Sequence, residues 1–398
     1  MSPSLRFLIA ASVLCLATAA WGTPKYKVLR AFSGGNDGGA LWGSLLLDSE
    51  GNVYGTTRVG GANGGGTVFE LAPDSGGTWT LTNLYNFCSQ SECSDGNAPF
   101  AGVVFDGEAN LYGTTALGGA NQYGTIFELT PGQGGARSET VLHSFVTNDE
   151  GGSPRTSLVL DPSGNLYGTG ETWAFELSPG TNGWTLKGLH EFTGEGGGSL
   201  SAVIRDTAGN LCGITEQGGT DKGCGGGCGT VYRLHPEPDG SWRETILYDF
   251  TSCDCAFPAG TLYRDAKHNL YGTTKGNNAG TVYRLNPEKG GHWRETTLHR
   301  FTAGAGGNDP AAGVVMGKSG ELYGTTFAGG DPNCYCGVVF KLAPAKGGTW
   351  KYTVLHRFVA IDGAQPGASL ILDSKGNLYG TTELGGTYNL GVAFELTP

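Results

Sequence analysis

The chain has 398 residues, 72 of them Gly and 17 Pro, and a formal net charge of −11. That sign argues against a nucleic-acid partner, whose phosphates need a basic face, and is compatible with a neutral glycan, a cation or a surface protein. Gly and Pro at this level without periodicity read as disorder. Here the Gly residues recur at fixed offsets, so they mark turns and close approach of strands.

Residues 1–22 read as a secretory signal peptide. Arg6 supplies the charged start and Phe7 to Leu16 an apolar stretch too short to span a bilayer. Ala17-Thr18-Ala19 or Ala20-Trp21-Gly22 supplies a small-residue cleavage site. Cys15 follows Leu14, a poor match to a lipoprotein box. The mature chain, 23–398, is expected to be one soluble domain without a transmembrane segment, a monomer, secreted and extracellular or periplasmic.

Its first strand, Tyr26 to Phe32, matches later segments such as Thr140 to Phe145 and Thr297 to Phe301. Thereafter the word Tyr-Gly-Thr recurs at Tyr54, Tyr112, Tyr167, Tyr271, Tyr323 and Tyr379, with Cys212-Gly213-Ile214-Thr215 filling the missing beat. The intervals are 45 to 59 residues. Such a period marks a closed repeat architecture.

Each unit reads as four short strands, a to d, bounded by Gly, Asn, Asp and Pro. The last copy has Ala368–Asp373, a turn, Leu378–Thr382, a Gly-rich loop and Gly391–Thr397; Trp350–Phe358 typifies strand d. The a–b turn carries Asp-x-x-Gly-Asn at Asp48, Asp161, Asp206 and Asp373, with Gly in the left-handed conformation that closes the hairpin. Asp48, Asp106, Asp161, Asp206, Asp265 and Asp373 are therefore read as turn residues. Glu70, Glu128, Glu176 and Glu395 in strand c are read as a solvated edge. Trp79, Trp184, Trp242, Trp293 and Trp350 at the start of strand d are read as blade-to-blade packing.

The chain thus starts on a d strand and stops on a c strand. The pattern predicts an all-β fold, a seven-bladed β-propeller of four-stranded antiparallel blades. The N-terminal strand pairs with the C-terminal blade and closes the ring. Six or eight blades are the alternatives, because the third copy is short and the fourth lacks its Tyr.

Eight cysteines fall in close pairs: Cys88/Cys93, Cys224/Cys228, Cys253/Cys255 and Cys334/Cys336. All lie in b–c or d–a loops, which emerge on one face. Outside the cytoplasm they read as disulfide candidates rather than zinc ligands, and the connectivity among Cys224, Cys228, Cys253 and Cys255 stays open. Cys212 stands at a core Tyr position and reads as a buried free thiol.

The d–a loops share one further pattern. Eight residues before each strand a stands an acid: Asp37, Asp95, Glu150, Glu195, Asp254 and Asp362, with Gly306 in the sixth blade. One reading is a turn that steers the chain into the next blade. The other is a ring of oxygen ligands at the channel mouth for Ca²⁺ or a cationic ligand, no cofactor being required otherwise. There is no Gly-x-Ser-x-Gly elbow, His-Glu-x-x-His, phosphate loop or EF-hand loop.

The run Asp-Gly-x-x-Pro, then Leu-x-x-Asp-x-x-Gly-Asn-Leu-Tyr-Gly-Thr-Thr, Gly-Gly and Gly-Thr-Val-Phe-Glu-Leu resembles the GloVer-type tandem-repeat family. Residues 377–386 and 391–396 match it closely. The resemblance implies an exported bacterial repeat scaffold with a choice of C-terminal anchors and implies no activity. This chain ends at Pro398 without an anchor segment. The reading is a binding or scaffold module acting through its loop face. The alternatives are a glycan lyase or hydrolase with carboxylates at the channel mouth, and a purely structural extracellular protein.

Overall fold

The computed structural model describes residues 23–132, 137–147, 150–193, 200–252, 257–276 and 279–398. The signal segment lies outside them. Seven four-stranded antiparallel sheets form the ring. Blade 1 shows the plan, with strand a at Leu46–Leu47, b at Val53–Thr57, c at Thr67–Pro73 and d at Trp79–Asn86. Blade 7 takes a, b and c from Ile371–Leu372, Leu378–Thr381 and Val392–Thr397, and d from Lys25–Ala31. That closing strand runs antiparallel to Val392–Thr397, from Lys25 opposite Thr397 to Ala31 opposite Val392.

The repeated word has a residue-by-residue cause. The Tyr ring is buried, and its hydroxyl reaches the Asp of its own a–b turn, as Tyr54 does to Asp48 at 3.1 Å. The Gly makes room for the strand-c aromatic: a Cβ on Gly55 would stand 2.6 Å from the Phe69 ring. The first Thr stitches blades together. Thr56 donates to the Ala101 carbonyl of the next blade at 2.9 Å, Thr273 to Ala312 at 2.9 Å, and Thr381 closes the circle onto Gly43 at 3.2 Å. The second Thr pairs with the Thr that opens strand c, as in Thr57–Thr67 and Thr115–Thr125. In blade 4 Ile214 replaces the stitching Thr, and Cys212, free and buried, replaces the Tyr.

The turn carboxylates behave as the sequence suggested. Oδ1 of Asp48, Asp106, Asp161, Asp206, Asp265 and Asp373 accepts the amides two and four residues on, and Oδ2 accepts the Asn side chain. Blade 6 reaches the same end by a swap. Gly317 stands at the Asp position, and Glu321 from the far side of the turn accepts the Ser319 amide and the Tyr323 hydroxyl. The strand-c acids depart from a purely solvated edge, since Glu128 accepts from Tyr112 at 2.7 Å and Glu176 from Tyr167 at 3.3 Å.

The core is seven clusters, each between two consecutive blades. At every seam the Phe that ends strand d meets the strand-c aromatic of the following blade. The pairs run from Phe32–Phe69 at 5.0 Å between ring centres through Phe192–Tyr232 at 4.5 Å to Phe358–Phe394 at 5.3 Å. Five blades use Phe at that strand-c position, and blades 4 and 5 use Tyr232 and Tyr283, whose hydroxyls are buried without a partner among the described residues. The Trp at the start of strand d lies over the Tyr of the preceding blade, as in Trp79–Tyr379 and Trp184–Tyr112.

Candidate functional site at the channel mouth

Inner strands approach so closely that only small residues fit beside them. A Cβ on Gly102 would lie 2.2 Å from the Ser44 carbonyl oxygen, and one on Gly313 would lie 2.0 Å from that of Thr261. On the loop face the described d–a loops latch onto the preceding blade through a residue at positive φ. Ala98, at φ 55°, donates its amide to Gly65, and Gln365, at φ 58°, donates to Cys336. A Pro often follows and packs on the Gly before the preceding strand c, as Pro99 does beside Gly66. This geometry puts the b–c and d–a loops on one face.

The acids of the d–a loops serve these loops. Asp37, 7% exposed, accepts from the Ser33 amide and hydroxyl and from Arg30. Burial pushes the Asp37 carboxyl up, but the Ser33 hydroxyl and Arg30 outweigh it and hold it below its usual range. Asp95, fully buried, accepts from Tyr85 at 2.9 Å and from the Ser89 amide at 2.8 Å. Glu150 accepts from the Val146 amide and faces His143 at 3.7 Å, and Asp362 accepts from the Val359 amide and His356. Glu195 and Asp254 lie outside the described residues. The four described acids stand in four separate loops, each bonded to its own loop and facing the strand d that leads into it. Among the described residues no three His, Cys, Asp or Glu side chains stand together as a metal site would require.

The position these acids face in strand d varies in a related way. Two residues before the closing Phe stand Arg30, Tyr85, His143, His190, Tyr248, His299 and His356. Where Gly306 replaces the acid, His299 stacks on Tyr352 of the next blade, ring centres 4.1 Å apart, as His356 does on Tyr26 at 3.8 Å, and burial pushes the His299 pKa down.

Disulfides join Cys88 to Cys93, Cys224 to Cys228 and Cys334 to Cys336. Cys224 and Cys228 thus pair with each other. Cys253 and Cys255 lie outside the described residues.

The channel itself holds a cavity of about 450 Å³, to which every blade contributes. Its wall is one repeated position, five residues after the acid: Trp42, Phe100, Arg155, Leu200, Ala259, Ala311 and Gly367. The next position is small throughout: Gly43, Ala101, Thr156, Ser201, Gly260, Ala312 and Ala368. Arg58, Glu216 and Lys275, each directly after its Tyr-Gly-Thr-Thr or equivalent, complete the charged lining.

This wall is not uniform. On one arc the Arg58 and Arg155 guanidiniums lie 5.1 and 4.9 Å from the centre of the Phe100 ring. On another, Lys275 pairs with Glu216 at 3.4 Å. Asp309 senses that pair. Burial pushes its carboxyl up, Lys275 opposes this and Glu216 adds to it, for a net rise.

Sequence reasoning pointed to the loop face and to the acid, not to the residue five places on that lines the cavity. The signal was available: within an otherwise uniform repeat, that position ranges from Gly to Trp.

Residues 17–220, 170–334 and 222–398 match the family model described as Gloeobacter/Verrucomicrobia repeat. No curated protein matches the chain in sequence. Among solved structures it is similar to virginiamycin B lyase from Staphylococcus aureus (TM-score 0.58, 11% identity, 94% of this chain and 99% of that one). It is also similar to a protein from Lactobacillus plantarum (0.56, 14%, 87% and 99%). A third likeness is to the extracellular domain of a protein described as a hybrid two component system from B. thetaiotaomicron (0.56, 14%, 94% and 41%). At these identities the likeness is one of fold.

Proposed function

The chain belongs to the Gloeobacter/Verrucomicrobia repeat family, and on that footing we propose that it is an exported binding module whose ligand enters the channel from the loop face. One observation carries this. The seven copies agree wherever packing demands it and diverge at the position that lines the cavity. Folding needs no Trp, Phe and Arg there, since Ala and Gly serve the same position in other blades. The signal-like residues 1–22 and the disulfides support a place outside the cytoplasm.

The test is an oligosaccharide array and titration with the mature chain and with Ala311→Trp, which sets a bulky ring at a cavity-lining position. Ligands bound by the native chain are expected to be lost in the variant at unchanged Tm. A ligand held equally by both overturns the channel as the site.

A second reading, a lyase or hydrolase, has the unlike neighbours Glu216, Lys275 and Asp309 in its favour, because acid–base work needs groups in different environments. Turnover of any bound oligosaccharide that disappears in Glu216→Gln would support it. Binding without turnover leaves the module reading.

A further inference from the structure

We propose that the ligand is an anionic glycan, its acidic group held by Arg58 and Arg155, which Phe100 orders, and its ring face by Trp42. This rests on the channel being the binding site.

The chain carries a net charge of −11, so unneutralised cations inside its cavity call for a reason. Arg58 and Arg155 come from blades 1 and 3 and flank Phe100 of blade 2. Among the described residues neither guanidinium pairs with a carboxylate. Five other arginines do: Arg30 with Asp37, Arg205 with Asp161, Arg243 with Glu237, Arg264 with Asp206 and Arg294 with Glu288. A guanidinium offers five donors in a planar fork suited to carboxylates and other oxoanions, and two held against one ring are partly ordered before any ligand arrives.

Three further features specify a sugar rather than a bare ion. Trp42 lines the same cavity, and its indole Nε1 is buried with no hydrogen-bond partner among the described residues. Burying such a donor costs free energy that a ligand oxygen would recover. The Ser44, Ser157 and Thr261 hydroxyls line the cavity with no side-chain hydrogen bond among the described residues, so the wall offers dispersed polar contacts to a polyhydroxylated ligand. The cavity, at about 450 Å³, is of the size that small organic ligands occupy. The Glu216–Lys275 pair stands apart and internally neutral, leaving the arginine arc as the net-positive part of the wall.

The experiment is calorimetric titration of the mature chain with three probes: an oligogalacturonate, a sulfated oligosaccharide of similar length and a neutral oligosaccharide. Each is run at low and at physiological salt. Both acidic probes, or one of them, are expected to bind and to weaken with salt, with the neutral probe much weaker. A carboxylate-only or sulfate-only response identifies the acid group. Arg58→Gln and Arg155→Gln are each expected to weaken acidic binding about tenfold or more at unchanged Tm, as befits a charge-assisted hydrogen bond. Phe100→Leu keeps the cavity apolar and removes the ring.

Neutral binding as tight as acidic binding, insensitive to both arginine variants yet lost in Ala311→Trp, overturns the ligand class and leaves the channel reading intact. Acidic binding that survives Ala311→Trp overturns the channel reading itself. No heat with either acidic probe overturns the ligand class.

Discussion

The seams between blades and the wall of the channel are built from the same seven repeats, yet they follow opposite rules. At a seam nearly every copy repeats the same contact: aromatic on aromatic, Thr hydroxyl on the next blade's carbonyl, Trp over Tyr. At the wall every blade shares the backbone, and the side chains run from Gly367 to Trp42. Uniformity marks where a residue must satisfy a neighbour inside the fold. Divergence marks where the neighbour is something else.

The largest test of that contrast removes a whole seam partner. Deleting residues 23–32 leaves the edge of Val392–Thr397 unpaired and takes Leu29 and Phe32 from the core. Truncating one such Phe costs about 3–5 kcal/mol, a large part of the usual 5–15 kcal/mol of a domain. The deletion is expected to lose its cooperative melt by calorimetry, and a Tm equal to the native chain's would contradict the closed ring.

Next comes the stitch. Thr56→Val keeps the shape and leaves the buried Ala101 carbonyl without its donor, an expected loss of about 1–3 kcal/mol in chemical denaturation. Blade 4 already lives without the stitch at Ile214, so Ile214→Val, which removes one methylene and no hydrogen bond, is expected to cost only about 0.5–1.5 kcal/mol. Equal losses at the two sites would mean that the hydroxyl contributes nothing beyond packing.

Tyr232→Phe and Tyr283→Phe restore the residue type of the other five seams and remove a buried hydroxyl that has no partner among the described residues. Each is expected to be neutral or to stabilise by up to about 1 kcal/mol. Destabilisation beyond that would show that the hydroxyls are satisfied in solution.

The smallest effect is a pH signature. Burial first, and then the charge of Asp95, push Glu139 up to about 7. Its folded value lies above the unfolded one near 4.3, so its contribution to stability is complete below about pH 4.3 and is lost as pH rises through about 7. Glu139→Gln is therefore expected to gain in relative Tm from acid to neutral pH and to level off above about pH 7.

The turn aspartates run the other way. Burial raises Asp106, Asp161, Asp206 and Asp265, but their Asn side-chain and amide hydrogen bonds together hold them low. Their contribution is present above the unfolded value near 3.9 and is lost as pH falls through the folded one. A Tm–pH profile of Glu139→Gln parallel to the native one would remove the Glu139 assignment.

Much of the architecture was legible because a repeat reports its own rules. Blade number, strand order, ring closure and the turn carboxylates all followed from residues recurring at fixed offsets. So did the packing role of Trp79 and its equivalents and the buried thiol of Cys212. What did not follow was anything set by contact between copies. That Thr56 serves the next blade rather than its own, or that Glu321 stands in for a missing Asp across a turn, depends on distances no spacing encodes. The same holds for the wall. The recurring acids attract the eye because they repeat, whereas Arg58, Phe100 and Arg155 look unrelated until the ring brings three blades to one cavity.

The closing strand has a consequence for how the molecule is made. Of the strands that build the ring, Lys25–Ala31 is made first and its partner Val392–Thr397 last. For the whole of synthesis the leading strand is an open edge carrying Leu29 and Phe32 in search of a surface that does not yet exist. Two chains growing side by side present each other with an identical vacancy. A reciprocal exchange of first strands would satisfy every hydrogen bond of both rings, so at high concentration refolding competes with a domain-swapped pair. Because Lys25 stands opposite Thr397 in the finished ring, joining these first and last strands and opening the chain at another blade boundary would abolish that competition without changing a single seam.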